Sequence, residues 1–222
     1  MAFTGFSREG DRFFGQLATL QDREWFKQHK AEYVELWEAP MKALFEELAP
    51  RVAKQYAGWK LDPPKHFRIY RDVRFSKDKA PFKTNIAATI HLSGGEEAPT
   101  AIYAHFGVED VVGAGHWMMS PERLKRYRQL IVDEKTGREL QKRVDGLEKK
   151  GFQIEAMESL KRVPVGFDPA HPRATLLKHK GLGITFPKIP AGLRNSPKLS
   201  KWMVEQSAVV APLVKWLEER LA

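Results

Sequence analysis

Apolar residues near both ends of the chain recur every three or four positions, the spacing that places them on one face of a helix. In the N-terminal third they are Tyr33, Trp37, Met41, Leu44, Leu48 and Val52. In the C-terminal part they are Leu140, Val144, Leu147, Trp202, Val209, Leu213, Trp216 and Leu217. The predicted helix N-caps, three of them followed by proline, are Asp22, Ser120, Asp168 and Ser196.

Between residues 67 and 118 the apolar pattern changes to every second position, which predicts β-strands. The four runs are FRIYRDVRF (67–75), IAATIHL (86–92), AIYAHFGV (101–108) and VVGAGHWM (111–118). Short connections between them favour antiparallel pairing. The predicted fold class is therefore α+β: a single domain over residues 1–222, with a central antiparallel sheet of about four or more strands between N-terminal and C-terminal helices.

The composition excludes several classes of protein. The chain has no cysteine, which excludes disulfides, thiolate catalysis and cysteine-based zinc sites. It has no apolar run of the length that crosses a membrane, and its N-terminus lacks the apolar segment of a signal peptide. We therefore expect a soluble, cytoplasmic protein that does not bind a membrane.

The net charge of +9 is unevenly distributed. Residues 60–90 hold eight basic and three acidic side chains, whereas residues 91–118 hold no lysine or arginine and four acids. Residues 119–150 hold ten basic and six acidic side chains, in a pattern typical of a solvated helix face. The concentrated charge at 60–90 favours an anionic ligand over a generally basic surface.

The first predicted strand has an unusual distribution of charge between its two faces. Its odd positions are apolar except for Arg71, and its even positions include Arg68, Asp72 and Arg74. An arginine buried without a partner would cost several kcal/mol, so Arg71 requires a carboxylate, several carbonyls or an anionic ligand. Asp72, between Arg68 and Arg74, is placed to orient both guanidinium groups.

The same alternation predicts one polar face shared by the later strands. If the register follows the apolar residues, Thr89, His91, Tyr103 and His105 lie on this face. It could be a ligand-binding concavity with His105 and Asp72 as catalytic residues, or a solvent-facing sheet with cross-strand pairs. The predicted ligand-binding residues are Arg68, Arg71, Arg74, Lys79, Lys83, Thr84, Tyr103 and His91.

The sequence predicts no metal and no cofactor. A metal site from His91, His105 and His116 would need all three to converge, and no local ligand spacing supports it. The chain has neither a phosphate-binding loop motif nor a Gly-x-Ser-x-Gly nucleophile motif.

The segment FRIYRDVRFSKDKAPFKTN resembles the signature of a mainly bacterial family, domain of unknown function 2461. That signature corresponds here to Arg68, Arg71, Asp72, Arg74, Phe75, Asp78, Lys79, Phe82, Lys83 and Thr84. Three further segments resemble the family in the same order: REWFKQHKAEY, YAHFGVEDVVGAGHWMMSPERLKRYR and LKRVPVGFDPAHPRATLLKHKG. The resemblance implies one whole-length domain and supports the arginine segment as a site, but it implies no particular reaction. Phe82 replaces the family's usual tyrosine, which argues against a hydroxyl role there.

Three functions remain open from the sequence. The first is a domain that binds a small anionic ligand, acting as an enzyme if His105 transfers a proton. The second is a nucleic-acid-binding module, which the pI of about 9.6 and the aromatic residues beside the basic segment favour. The third is a structural or partner-binding domain, in which the arginine motif is an internal network of ion pairs.

Overall fold

The fold is seen in a computed structural model that describes residues 2–92 and 100–221. Its helices are α1 (Glu9–Leu20), α2 (Arg23–Gln28), α3 (Lys30–Tyr33), α4 (Ala39–Ala53), α5 (Pro121–Val132), α6 (Glu134–Glu148), α7 (Ala174–Lys178) and α8 (Lys198–Leu221). A π-helical turn, Val34–Glu38, joins α3 to α4, and a 3₁₀ turn, Lys54–Tyr56, follows α4. No helix in the described ranges is long and apolar enough to cross a membrane.

The strands form one six-stranded antiparallel sheet in the order β1-β2-β3-β4-β6-β5. They are β1 (Lys65–His66), β2 (Asn85–His91), β3 (Ala101–Gly107), β4 (Val111–His116), β5 (Gln153–Glu155) and β6 (Leu182–Thr185). The α+β fold class and the antiparallel sheet are therefore confirmed. The sheet also extends beyond residues 67–118, because β5 and β6 come from the C-terminal half.

The prediction of a strand over residues 67–75 is wrong. Only β1, just before it, pairs regularly with β2, and a single isolated bridge joins Tyr70 to Phe82. The chain instead folds back on itself: Arg71 N donates to Pro81 O at 2.9 Å, and Lys83 N donates to Ile69 O at 2.8 Å. We call residues 69–83 the arm. Since no neighbouring strand flanks the arm, its charged side chains remain near water instead of entering the sheet.

Helices cover one face of the sheet. The inward residues of β2 and β3, such as Ile90 and Phe106, are fully buried, as are Met41 and Leu44 of α4. Helix α4 packs on β2 and α8 packs on β4, and the two helices also contact each other. The apolar spacing of these helices therefore identifies their buried faces correctly, and the opposite face of the sheet is left for the candidate site.

Candidate functional site

The strand register brings the polar residues of β2 and β3 together on the face that lies away from α4 and α8. Thr89 pairs with Tyr103 and Ala87 with His105, so these side chains occupy adjacent rows, as the alternation predicts. Tyr103 in turn pairs with Gly113, and Gly113 pairs with Thr185 of β6. Because these rows cross four strands, residues far apart in sequence meet on one surface.

A cavity of about 540 Å³ lies on this face. Its apolar lining consists of Phe67, Ala87, Val111, Trp117, Ala156 and Met157. Its polar lining consists of Lys83, Asn85, Tyr103, His105, Glu155 and Thr185. This combination of an apolar wall with a few polar groups is typical of small-molecule sites, whose volumes are about 300–1,000 Å³.

The indole ring of Trp117 forms one wall of the cavity, and two glycines make room for it. A Cβ atom at Gly183 would lie 2.2 Å from the ring, and one at Gly113 would lie 2.9 Å from it. Any side chain at either position would therefore displace the ring or the strand. Trp117 Nε1 is buried, and no residue in the described ranges accepts its hydrogen bond.

Tyr103 and His105 form a hydrogen-bonded pair in the cavity. Tyr103 Oη lies 3.0 Å from His105 Nδ1. Burial lowers the pKa of His105, against the opposing effect of Asp110 and Glu109, and burial raises the pKa of Tyr103. Both groups are thus neutral near pH 7. If Tyr103 donates to Nδ1, Nε2 of the imidazole carries a hydrogen and can donate to a ligand. If Nδ1 donates to Tyr103, Nε2 can accept from a ligand.

Lys83 supplies a positive charge at one end of the cavity. Its Nζ lies 5.4 Å from the centre of the Phe67 ring, within the range of a cation–π contact. Burial, followed by repulsion from Arg68, lowers the pKa of Lys83. Among the described residues no carboxylate forms an ion pair with this ammonium group.

Glu155 supplies a negative charge at the other end. Its Oε2 accepts a hydrogen bond from Thr185 Oγ1 at 3.1 Å. Neighbouring strands lie about 4.8 Å apart, so β2 and β5, four steps apart in the sheet, are about 19 Å apart. The cavity therefore runs across the strands, with Lys83 near its β2 side and Glu155 near its β5 side.

Comparison with known proteins gives the same family as the sequence motif in the arm. The family model described as a conserved hypothetical protein, DUF2461, matches residues 11–216. The chain belongs to the DUF2461 family. No curated protein and no solved structure matches it. The region that matches the DUF2461 model contains every residue that lines the cavity, and it also contains the whole arm.

In this DUF2461 chain, two arginines of the motif bind carboxylates within the arm. Arg71 Nη1 lies 2.5 Å from Asp78 Oδ2 and 3.2 Å from Ala80 O. Arg74 donates to both carboxylate oxygens of Asp72, from Nε at 3.0 Å and from Nη2 at 2.7 Å. The Arg74 hydrogen bonds lower the pKa of Asp72. Arg71 therefore has the carboxylate and carbonyl partners that its sequence position requires.

The predicted site residues of the DUF2461 chain divide into three groups. Lys83, Tyr103 and His105 line the cavity. Four residues belong to the arm and do not line the cavity: Arg71, Asp72, Arg74 and Lys79, whose Nζ donates to Val73 O at 3.0 Å. The other three lie elsewhere. Arg68 lines a separate groove, and the backbone oxygen of Thr84 accepts a hydrogen bond from Val108 N. His91 Nδ1 lies 3.4 Å from Asp62 Oδ2.

Several residues that line the cavity were not predicted as site residues. Trp117 lies near the end of the predicted strand VVGAGHWM, and Glu155, Met157 and Thr185 lie in the C-terminal half. No sequence spacing connects these positions, because they meet only through the pairing of β4, β6 and β5. Within residues 2–92 and 100–221, no three potential ligand side chains are grouped closely enough to hold a metal ion.

Proposed function

We propose that this DUF2461 chain binds a small molecule bearing a carboxylate or phosphate in the cavity, with Lys83 contacting the anionic group. The observation that carries the proposal is the half-buried ammonium of Lys83, which has no carboxylate partner in the described part of the chain. A charge that is partly removed from water requires compensation. An anionic ligand would supply it, and binding would restore the lowered pKa of the lysine.

The body of the ligand is proposed to be flat and apolar. Phe67, Tyr103 and Trp117 contribute aromatic rings to the lining of the cavity, and Met157 adds an adaptable thioether. The Phe67 and Tyr103 rings are 6.2 Å apart in an edge-to-face arrangement that leaves ring surface for a ligand. An aromatic acid therefore fits the cavity better than a sugar phosphate, whose hydroxyl groups would face an apolar wall.

His105 is proposed to act on the bound ligand as a general acid or base. A neutral imidazole whose Nδ1–H donates to the tyrosine oxygen can accept a proton at Nε2, and the imidazolium so formed keeps its Nδ1–H hydrogen bond to Tyr103. The pKa of His105, lowered by burial, keeps it in the neutral form that a base requires near pH 7. Asp72 has no place in this step because its carboxylate is bound to Arg74 outside the cavity.

Binding of matched acidic and neutral probes tests the proposal. Isothermal titration calorimetry would compare indole-3-acetate and phenyl phosphate with the uncharged indole-3-acetamide. We expect the acids to bind the wild-type chain at least tenfold more tightly than the amide, and Lys83→Met to remove that preference. Lys77→Met, which removes an exposed lysine of the arm, is the matched control and should leave the preference unchanged.

Two results would contradict the proposal. One is equal affinity for the acids and the amide, or binding of none of the three. The other is a preference for the acids that survives Lys83→Met. A catalytic role for His105 additionally requires that His105→Gln retain binding of the acids, because the substitution keeps a polar side chain but removes the titrating group.

A further inference from the structure

We propose that the arm and the groove at its base form a binding surface for single-stranded nucleic acid, separate from the cavity. The groove is lined by Lys30, Lys42, His66, Arg68 and Tyr70, among others, and its volume is about 430 Å³. Phe67 lies between the groove and the cavity and lines both. The proposal rests on the shape of the arm, on the charges of the groove and on the exposed aromatic rings that accompany them.

The arm holds a fixed shape through its own contacts. The backbone hydrogen bonds at Arg71 and Lys83 close it, and the Arg71–Asp78 and Arg74–Asp72 ion pairs lie within it. These pairs satisfy both aspartates, so the acidic groups of the arm do not repel an approaching polyanion as free carboxylates would. Residues 69–83 contain five basic and two acidic side chains, which leaves a net charge of +3.

The arm presents aromatic rings to water. Phe75 is 95% exposed and Tyr70 is 48% exposed. The guanidinium of Arg74 lies 5.8 Å from the centre of the Phe75 ring, so the exposed ring has a cation beside it. A phenylalanine so fully exposed contributes nothing to the core. Its position suits stacking against a flat partner, and every nucleobase has such a face.

The groove at the base of the arm supplies cations for phosphate groups. Within the described ranges, Arg68 and Lys30 have no carboxylate partner, whereas Glu38, the acid of the groove, pairs with Lys42 at 2.8 Å. The segment from Tyr70 to Phe75 spans at most about 18 Å, long enough to follow several nucleotides. Alternating cations and exposed rings along one path is the arrangement by which proteins bind single strands without sequence preference.

A free phosphate or a protein partner fits these observations less well. A single phosphate would engage Arg68 and Lys30 but would leave Phe75 without a role, since the ring lies at the far end of the arm. A protein that received Phe75 in an apolar pocket would also have to accommodate the charged Arg74–Asp72 pair beside the ring. A single strand carries one base and one negatively charged phosphate in every nucleotide. It can therefore supply faces for stacking and charges for the cations together.

Fluorescence anisotropy with a fluorescein-labelled 20-nucleotide oligothymidylate tests the proposal on the full chain. We expect binding that weakens as salt rises, a loss of about tenfold for Phe75→Ala, and a loss for Arg68→Gln with a salt slope reduced by about 1. Both residues are exposed, so circular dichroism should show an unchanged fold. The control Lys142→Gln removes an exposed cation of α6 and should leave affinity nearly unchanged.

Competition distinguishes stacking from attraction between charges alone. Unlabelled polyglutamate is a flexible polyanion without bases and should compete far less well than unlabelled oligothymidylate. Equal competition, or a Phe75→Ala variant with wild-type affinity, would overturn the proposal, as would no binding at low salt. Tyr103→Phe alters the cavity and should not change oligonucleotide binding. Because the two sites are separate, a failure of the oligonucleotide proposal would leave the proposed small-molecule function intact.

Discussion

Glu218 of α8 is a buried carboxylate surrounded by hydrogen-bond donors. Arg123 Nη2 lies 2.7 Å from its Oε2, His116 Nδ1 lies 3.3 Å from its Oε1, and Thr100 Oγ1 donates to the same Oε1. Burial opposes ionisation of Glu218, but hydrogen bonds from His116 and Thr100 and the charge of Arg123 outweigh it and lower the pKa to about 2. This carboxylate therefore joins α8 to β4, to α5 and to the residue before β3.

Replacement of Glu218 by glutamine should destabilise the fold in a pH-dependent way. At pH 7 we expect the free energy of unfolding to fall by about 3 kcal/mol, because the guanidinium of Arg123 loses its counterion. A pKa that is lower in the folded than in the unfolded state contributes stability above the unfolded value, and this contribution is lost as pH falls. The difference from wild type should therefore shrink between pH 4.5 and pH 2.

Urea denaturation across this pH range measures the effect. Glu219→Gln is the matched control, since Glu219 is exposed on the next position of the same helix. If the two variants lose equal stability at pH 7, the buried network does not carry the contribution assigned to it.

The arm is an element whose ion pairs should matter locally and little for the whole fold. In the Arg71–Asp78 pair the side chains are 30% and 65% exposed, and exposed pairs contribute little to stability. We expect Arg71→Ala to lower the midpoint of thermal unfolding by no more than about 3 °C. It should also accelerate hydrogen exchange at the amides of Arg71 and Lys83, which close the arm.

Hydrogen exchange followed by mass spectrometry, together with a thermal melt, tests this prediction. Arg138→Ala is the control, because it removes an arginine–carboxylate ion pair on α6, with a more exposed arginine, and should not change exchange in the arm. A large fall in the melting midpoint for Arg71→Ala would instead support the hypothesis that the motif is an internal network on which the whole fold depends.

Helix starts could be predicted from the sequence where the signal, an N-cap residue, lies within a few positions of the helix. Asp22 Oδ1 accepts from Trp25 N at 2.6 Å and Ser120 Oγ accepts from Arg123 N at 3.3 Å, so two of the four predicted N-caps are confirmed. The prediction for Asp168 is wrong: it accepts from Ala170 N in a turn, and α7 begins only at Ala174. Caps depend on neighbouring residues, but whether a helix follows them also depends on what it can pack against.

Elements and sites that depend on distant partners could not be predicted. Strands β5 and β6 have three and four residues, too few to show an alternation, and they exist because β4 offers an open edge. The arm shows the opposite error. Its sequence alternates clearly between apolar and polar residues, but it forms no strand because no neighbouring strand among the described residues pairs with it. The cavity likewise combines a strand pattern that predicts Tyr103 and His105 with Trp117 and Glu155, which only the sheet brings near.

At the scale of the whole molecule, we propose that the chain folds as one domain. The buried apolar side chains form one continuous cluster that includes α1, α4, α8 and the inner face of the sheet. The family match over residues 11–216 includes all of α4 and of the described sheet, and most of α1 and α8. An interruption in this cluster would be expected if the N-terminal helices and the C-terminal half were separate units.

One domain should unfold in one step. Urea unfolding followed by far-ultraviolet circular dichroism and by tryptophan fluorescence should give coincident curves. The six tryptophans sample distant parts of the chain: Trp25, Trp37, Trp59, Trp117, Trp202 and Trp216. Two separated transitions, or curves that differ between the two probes, would contradict a single cooperative unfolding step.

The edges of the sheet are its shortest strands. β1 has two residues and β5 has three, whereas β2 and β3 have seven each. β1 is shorter than the edge of β2 that it covers, but backbone hydrogen bonds continue beyond both of its ends. Before β1, Asp62 N donates to His91 O, and after β1, Phe67 N donates to Ala87 O. A second chain would find few free backbone groups on which to extend the sheet. We therefore expect the short edge strands to disfavour edge-to-edge aggregation into fibrils in a concentrated solution of this protein.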